Sequence, residues 1–379
     1  MPRLLAFCEK LADRIIEEKD QYLIAGCNGP YNDIETDLRI HSHWLSFFCL
    51  LGRALPDKRY IKCSQEISGE LLQPKHRPQG YSFLHRISKK KDNCNGLVGQ
   101  AWTIEALAET SMLFEDKKYS SLGEEVFLQH RFNEDIGLWS RLEIDGRILS
   151  VDRAFNHQLW FAACGAQLHG DRRDNILEMV NYFLSKIEEN VRVLQNGLIF
   201  HSIERKFTEE SENKISLKLK LKRQLKKLLS TNGEKKIADV YATTKSNGYQ
   251  AFNLYAFGKL KEQVPEHSYW NSQHFRASLE YVNTQLYIDR LRGNKYGYPY
   301  NPPGFEMPYV LYSLSSLSEQ KLKESAQWWV NEQIKRTFNG NTFMFDKDTS
   351  DAYTLTSRIY EILRLPADIL EQIDVAVSI

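Results

Sequence analysis

The densest run of chemically capable side chains is Asp152-Arg153-Ala154-Phe155-Asn156-His157-Gln158. It sets a carboxylate, a guanidinium, two amides and an imidazole within seven residues. An imidazole passes protons near neutral pH, so His157 is the best single general acid–base in the chain. Asp152, Glu306 and Asp351 stand where helices should begin, and a carboxylate there either caps the helix or faces a ligand. The expected catalytic set is therefore His157, Glu306, Asp351 and Asp152. Groups suited to holding a polar ligand are Arg39, His43, Gln100, Asn156, Gln158, Gln250 and Asn253. Gln250 and Asn253 lie three apart and share a helical face. Trp102, Tyr298, Tyr309 and Tyr353 offer rings that could stack on a ligand.

Side chains so scattered along the chain need a repeating scaffold to bring them together. Six stretches are apolar almost all round, as buried helices are: 38–55, 97–114, 155–168, 249–260, 305–317 and 352–365. Amphipathic helices are predicted over 4–19, 57–72, 118–130, 173–189, 268–290 and 319–337. The apolar stretches start about 59, 58, 94, 56 and 47 residues apart. One step is long, and an insertion explains it. Loops such as GLWSRLEIDGRI, NGLIFHSIE, GNKYGYPYNPPG and NGNTFMFDKD read as small β-hairpins or turns at one rim. Six helical hairpins, buried partner inside and amphipathic partner outside, predict an all-α (α/α)6 toroid. It is expected to be one domain over 1–379.

The strings ETDLRIHSHW, NGLVGQAWTIEAL, VDRAFNHQLW, NGYQAFNLYAF, NPPGFEMPY and DAYTLTSRIYE open the six inner helices. With this repeat the chain resembles the six-hairpin glycosidase-like superfamily. It is also similar to uncharacterised proteins of bacterial capsule and exopolysaccharide clusters. The resemblance implies a funnel at one end of the toroid and a carbohydrate-active protein of surface-polysaccharide metabolism. No string matches a catalytic signature of that superfamily. Glycoside hydrolysis of an oligo- or polysaccharide comes first, because three carboxylates lie on three inner helices. A uronate-directed lyase or a sugar epimerase follows, since amides, histidine and tyrosine could neutralise a carboxylate and take a proton. A non-catalytic glycan-binding or assembly protein is the third reading.

The insertion at about 204–246 carries ISLKLKLKRQLKKLLS, a stretch with Lys218, Lys220, Lys222, Arg223, Lys226 and Lys227 and no acid. Its second half reads as a basic amphipathic helix, able to meet an anionic membrane surface or an acidic partner. Elsewhere charge is balanced, with 50 Lys+Arg against 49 Asp+Glu, so wholesale binding to nucleic acid is not expected. No run is long and apolar enough for a membrane span, and the start does not resemble a signal peptide. A cytoplasmic protein, free or peripheral to the membrane, is expected. Six scattered cysteines suggest neither a disulfide framework nor a zinc site. P-loop, GxSxG and HExxH motifs are absent, and neither cofactor nor metal is called for.

Overall fold

The computed structural model describes residues 1–205 and 232–377. Lys218 and its basic neighbours lie outside the described residues. Six inner helices run over Leu38–Ala54, Gly96–Phe114, Phe155–Ala166, Gln250–Gln263, Pro303–Leu314 and Ala352–Ser357. The sixth continues as a 3-10 turn over Arg358–Arg364. Each inner helix packs on the next, and the sixth closes on the first, so the ring is complete. The outer helices span Leu4–Glu17, Lys58–Leu71, Lys117–Gln129, Arg173–Ser185, Gln273–Tyr281 with Gln285–Leu291, and Glu319–Thr337. This is an (α/α)6 toroid.

The inner helices are buried on every face because they have no polar stripe to offer water. The second and third outer helices start at side-chain caps: Asp57 accepts from Arg59 N, and Asp116 from Lys118 N. The fifth outer element departs from the continuous helix predicted over 268–290. It breaks after Tyr281, and Thr284 caps a new helix by accepting from Tyr287 N. The insertion ends in a further helix, Asn232–Gly248, which leads directly into the fourth inner helix.

One rim carries a three-stranded antiparallel sheet, β1 (Phe132–Asn133), β2 (Leu138–Leu142) and β3 (Ile148–Val151), in that order. Its register shifts between Ser140 and Leu142, and β3 ends directly before Asp152. The loops 193–199 and 339–344 close through single bridges instead. Aromatic packing locks adjacent inner helices: Trp160 stacks on Phe252 at 4.3 Å and on Tyr255 at 5.6 Å. Glu105, a lone carboxylate in an apolar helix, is paired with Lys259 at 2.6 Å and Arg364 at 2.7 Å, and it accepts from the Tyr360 hydroxyl. Arg364 also reaches Glu109 at 2.6 Å, and Arg53 binds the same carboxylate. An ionic column therefore fills the middle of the ring.

Candidate functional site

Where the inner helices begin, a cavity of about 310 Å3 opens between them. Its lining includes Arg39, Trp102, Asn156, His157, Phe252, Asn301 and Arg358, which come from or adjoin all six inner helices. Rim segments add Asn28, Tyr31, Asp33, Arg86, Lys91, His201 and Lys245.

The His157–Asp152 pair is built by three elements meeting. Strand β3 delivers Asp152, and the third inner helix starts three residues later. The Asp152 Oδ2 accepts from His157 Nδ1 at 2.8 Å and from Leu97 N, at the start of the second inner helix, at 3.1 Å. Its Oδ1 accepts from Ala154 N at 3.1 Å. Burial alone would raise the Asp152 carboxyl. The charge and hydrogen bond of His157, Arg141 and the Leu97 N–H outweigh it and hold the group well below the ordinary carboxylate range. Gly96 makes the approach possible. Its φ is +62°, and a Cβ there would lie 2.6 Å from Asp152 Oδ2 and 2.8 Å from His157 Nδ1. With Nδ1 engaged, the part of His157 left to the cavity is its Nε2 edge, and the side chain is 25% exposed.

His201 lines the same cavity with its Nδ1 unpartnered. Its backbone fastens the rim to the ring: the carbonyl accepts from Phe155 N, and its N–H donates to Ser246 Oγ. Burial, then the charges of Lys245 and His157, push the imidazole well below its usual value, so it is neutral at pH 7. The tyrosines Tyr31 and Tyr249 join hydroxyls at 2.9 Å across the opening. Lys245 sits beside them, lowered to about 8 by burial and by Lys91.

Arginines form the floor. Arg39 lies 3.9 Å over the Trp102 ring, pairs with Glu35 at 3.2 Å and donates to Asn28 and to His43 Nε2. Arg358 donates to Asn301 at 3.0 Å and to Glu306 and Glu361 at 2.6 Å each. Burial pushes both of these carboxyls up, with Arg358 opposing it.

The expected residues thus divide. Arg39, Trp102, Asn156 and His157 face one cavity, with Asp152 directly behind His157. Glu306 needs correcting as a free carboxylate, because it is wholly buried on Arg358 and does not line the cavity. Asp351 likewise is engaged: it caps Thr354 and accepts from Cys27 N and Gly29 N, fixing the loop that carries Asn28. His43 is buried beneath Arg39, stacked on Tyr360 at 5.3 Å. Asn253 is buried with neither side-chain atom bonded. Tyr353 is half-buried against the core, outside the lining.

Gln100, Gln158 and Gln250 do not reach a ligand either. Gln100 accepts from Phe83 N and donates to Phe83 O and Cys94 O. Gln158 brackets Trp139 N and O in the same way and also donates to Asp152 O. Gln250 accepts from Ile199 N and donates to Gly197 O and Ser278 O. Two tyrosines are misplaced by the sequence reading. Tyr298 lies under Arg336 in a separate groove, and Tyr309 donates to Glu262 in a depression at the opposite end of the ring. His201, Lys245, Tyr31 and Tyr249 went unnoticed. His201 lies inside the NGLIFHSIE rim string, and Lys245 lies one turn ahead of the fourth inner helix, so both signals sat beside the repeat rather than in it.

This (α/α)6 toroid fold is shared with several solved sugar-enzyme structures. Solved structures of the same fold include cellobiose 2-epimerase from Spirochaeta thermophila (TM-score 0.60, 12% identity, 96% of this chain and 97% of that one). A D-mannose isomerase (TM-score 0.57, 10% identity, 94% and 98%) and an alpha-1,6-mannanase from Salegentibacter sp. (TM-score 0.55, 12% identity, 97% and 100%) share it. No family model matches the sequence. A relative named archaeal glycosylation protein Q, from Haloferax volcanii, is 34% identical over 357 residues, covering 92% of this chain and 93% of that protein. The chain belongs to the family of that protein.

Proposed function

We propose that the protein is a carbohydrate-active enzyme of glycan assembly that moves a proton at a sugar carbon next to a carbonyl, as an epimerase or isomerase. One observation carries this: two histidines, one braced by a carboxylate and one held neutral, line the same cavity, and the candidate carboxylates do not. Hydrolysis, first in the sequence reading, calls for two carboxylates flanking the bond. Here Asp152 is taken up by His157, Glu306 by Arg358, and Asp351 by loop N–H groups. Asp33, the carboxylate in the lining, is bound by Arg86 and Lys91.

The sugar reading draws on the name of the relative and on sugar enzymes sharing the fold. A cavity of about 310 Å3 is at the small end of ligand pockets and suits a mono- or disaccharide. In the proposed step, neutral His201 takes the proton α to the carbonyl of the ring-opened sugar, and Arg39 and Asn156 bear the enediolate oxygens. His157 returns a proton to the opposite face, or to the neighbouring carbon.

Aldoses incubated with the enzyme in deuterium oxide should gain deuterium at C2, read by NMR, with epimer or ketose as product. The His157→Asn and His201→Asn variants should lose this by roughly 10²–10⁴-fold. New reducing ends from an oligosaccharide without exchange would mean hydrolysis. An unsaturated, ultraviolet-absorbing product would mean elimination. Either outcome overturns the proposal.

A further inference from the structure

Four of the five Lys and Arg side chains lining the cavity have acids beside them: Arg39 has Glu35, Arg358 has Glu306 and Glu361, Arg86 has Asp33 and Asp92, and Lys91 has Asp33. Lys245 has no carboxylate or hydrogen-bond partner among the described residues. Its Nζ instead faces the rings of Tyr31, Tyr249 and Tyr296 at 5.0, 5.7 and 5.9 Å. Lys91 approaches the Tyr31 ring as well, at 5.9 Å. The tyrosine hydroxyls are turned to one another, Tyr31 to Tyr249 and Tyr241 to Tyr296, so the amine meets ring faces rather than oxygens. A half-buried ammonium without a counter-ion among the described residues carries a desolvation cost, and an anion brought by the ligand relieves it.

The charge around it says which kind. Lys91, Arg86 and Arg141 are tied through Asp33 and Asp92 into one network. Arg141 also acts on Asp152, so with Lys245 four cations meet three carboxylates, and the charge of Lys245 remains at the cavity mouth. Lys91 approaches the same Tyr31 ring as Lys245, and a phosphate monoester, with close to two charges and three acceptor oxygens, can engage both ammonium groups more fully than a carboxylate with one charge and two oxygens.

We propose that Lys245 and Lys91 form a phosphoryl clamp at the mouth, and that the sugar substrate carries a phosphate ester. This rests on the proton-transfer reading for one detail: the ester sits on a hydroxyl other than the anomeric one, because that carbon has to open to a carbonyl.

Calorimetric titration of the full-length protein with glucose 6-phosphate, mannose 6-phosphate, the parent hexoses and glucuronate tests this. The hexose phosphates should bind at least about tenfold tighter than their parents, with the advantage shrinking as salt rises. Lys245→Met should abolish the preference and Lys245→Arg should keep most of it. Should Lys245→Met not fold, the exposed Lys91→Met, with inorganic phosphate as competitor, takes its place and should weaken the preference. Equal binding of phosphate and parent overturns the clamp. So does a preference that survives Lys245→Met in a protein melting like wild type, or glucuronate binding as tightly as the phosphates. The preference should persist in His201→Asn. Preference without deuterium exchange would sink the proton-transfer reading alone, and exchange without preference would sink the clamp alone.

Discussion

Asp152 receives three hydrogen bonds, from His157 Nδ1, Leu97 N and Ala154 N, and each comes from a different part of the site. It therefore acts through His157 as a positioning residue. Asp152→Asn puts an amide where one oxygen accepts from two donors, so His157 loses its fixed tautomer and direction. The expected result is a kcat lower by roughly one to three orders of magnitude with KM changed less than about threefold. Equal losses in both would assign Asp152 to substrate binding instead. The same scale explains what the sequence concealed. Asp152, His157 and Arg39, marked by residue type, lie together at one end of the ring. Type alone could not say that Glu306 points at Arg358 or that Tyr309 points at Glu262, because those choices depend on neighbours contributed by other helices.

At the scale of elements, the apolar periodicity made the six inner helices legible, since a helix without a polar face has to be buried. Their first turns were harder to read. Gln100, Gln158 and Gln250 lie near the starts of three inner helices, and by residue type each suits a polar ligand. Their common task is instead to bracket rim backbone that would otherwise be buried without partners. Replacing Gln158 or Gln250 with Leu leaves such N–H and C=O groups unpaired and should cost about 2–4 kcal/mol in chemical denaturation. Gln158 also holds the Asp152 carbonyl. Gln158→Leu should therefore impair turnover more than Gln250→Leu at similar stability loss. Parallel losses in turnover would mean that the glutamines merely support the fold. The rim segments were the least legible, because Lys245 lies in the insertion and His201 in a rim loop, both outside the repeating frame that drew attention to the helices.

Across the whole molecule, the ionic column ties the first, second, fourth and sixth inner helices together through Arg53, Glu105, Glu109, Lys259 and Arg364. Burial would raise Glu109, but Arg364 and Arg53 outweigh it and bring the carboxyl down to about 2. Glu105 is lowered against its burial in the same way by Lys259 and Arg364. A carboxyl depressed in the folded state stabilises it above the unfolded value near 4.5, and that stability is lost as pH falls toward 2. Glu306 and Glu361 work in the opposite sense. Burial raises them, so the fold is penalised as pH climbs from about 4.5 toward neutrality. The two effects occupy different windows: above about pH 4.5 the column is constant and only Glu306 and Glu361 act, and below it the column's loss takes over. Melting temperature should thus rise as pH falls from 7 to about 4.5 and drop steeply below it. Glu109→Gln should flatten that drop while lowering the melt at pH 7, where Arg364 and Arg53 lose an anionic partner. An unchanged acid slope in Glu109→Gln would remove the column from the pH response. Arg364→Met, which leaves two buried carboxylates short of a cation, should cost about 3–5 kcal/mol. Arg364 lies on the 3-10 turn that begins at Arg358, so the same segment secures the ring at one end and lines the cavity at the other. Binding measured on Arg364→Met well below its melting temperature should therefore keep the wild-type phosphate preference, because Lys245 and Lys91 are carried by segments the column does not touch.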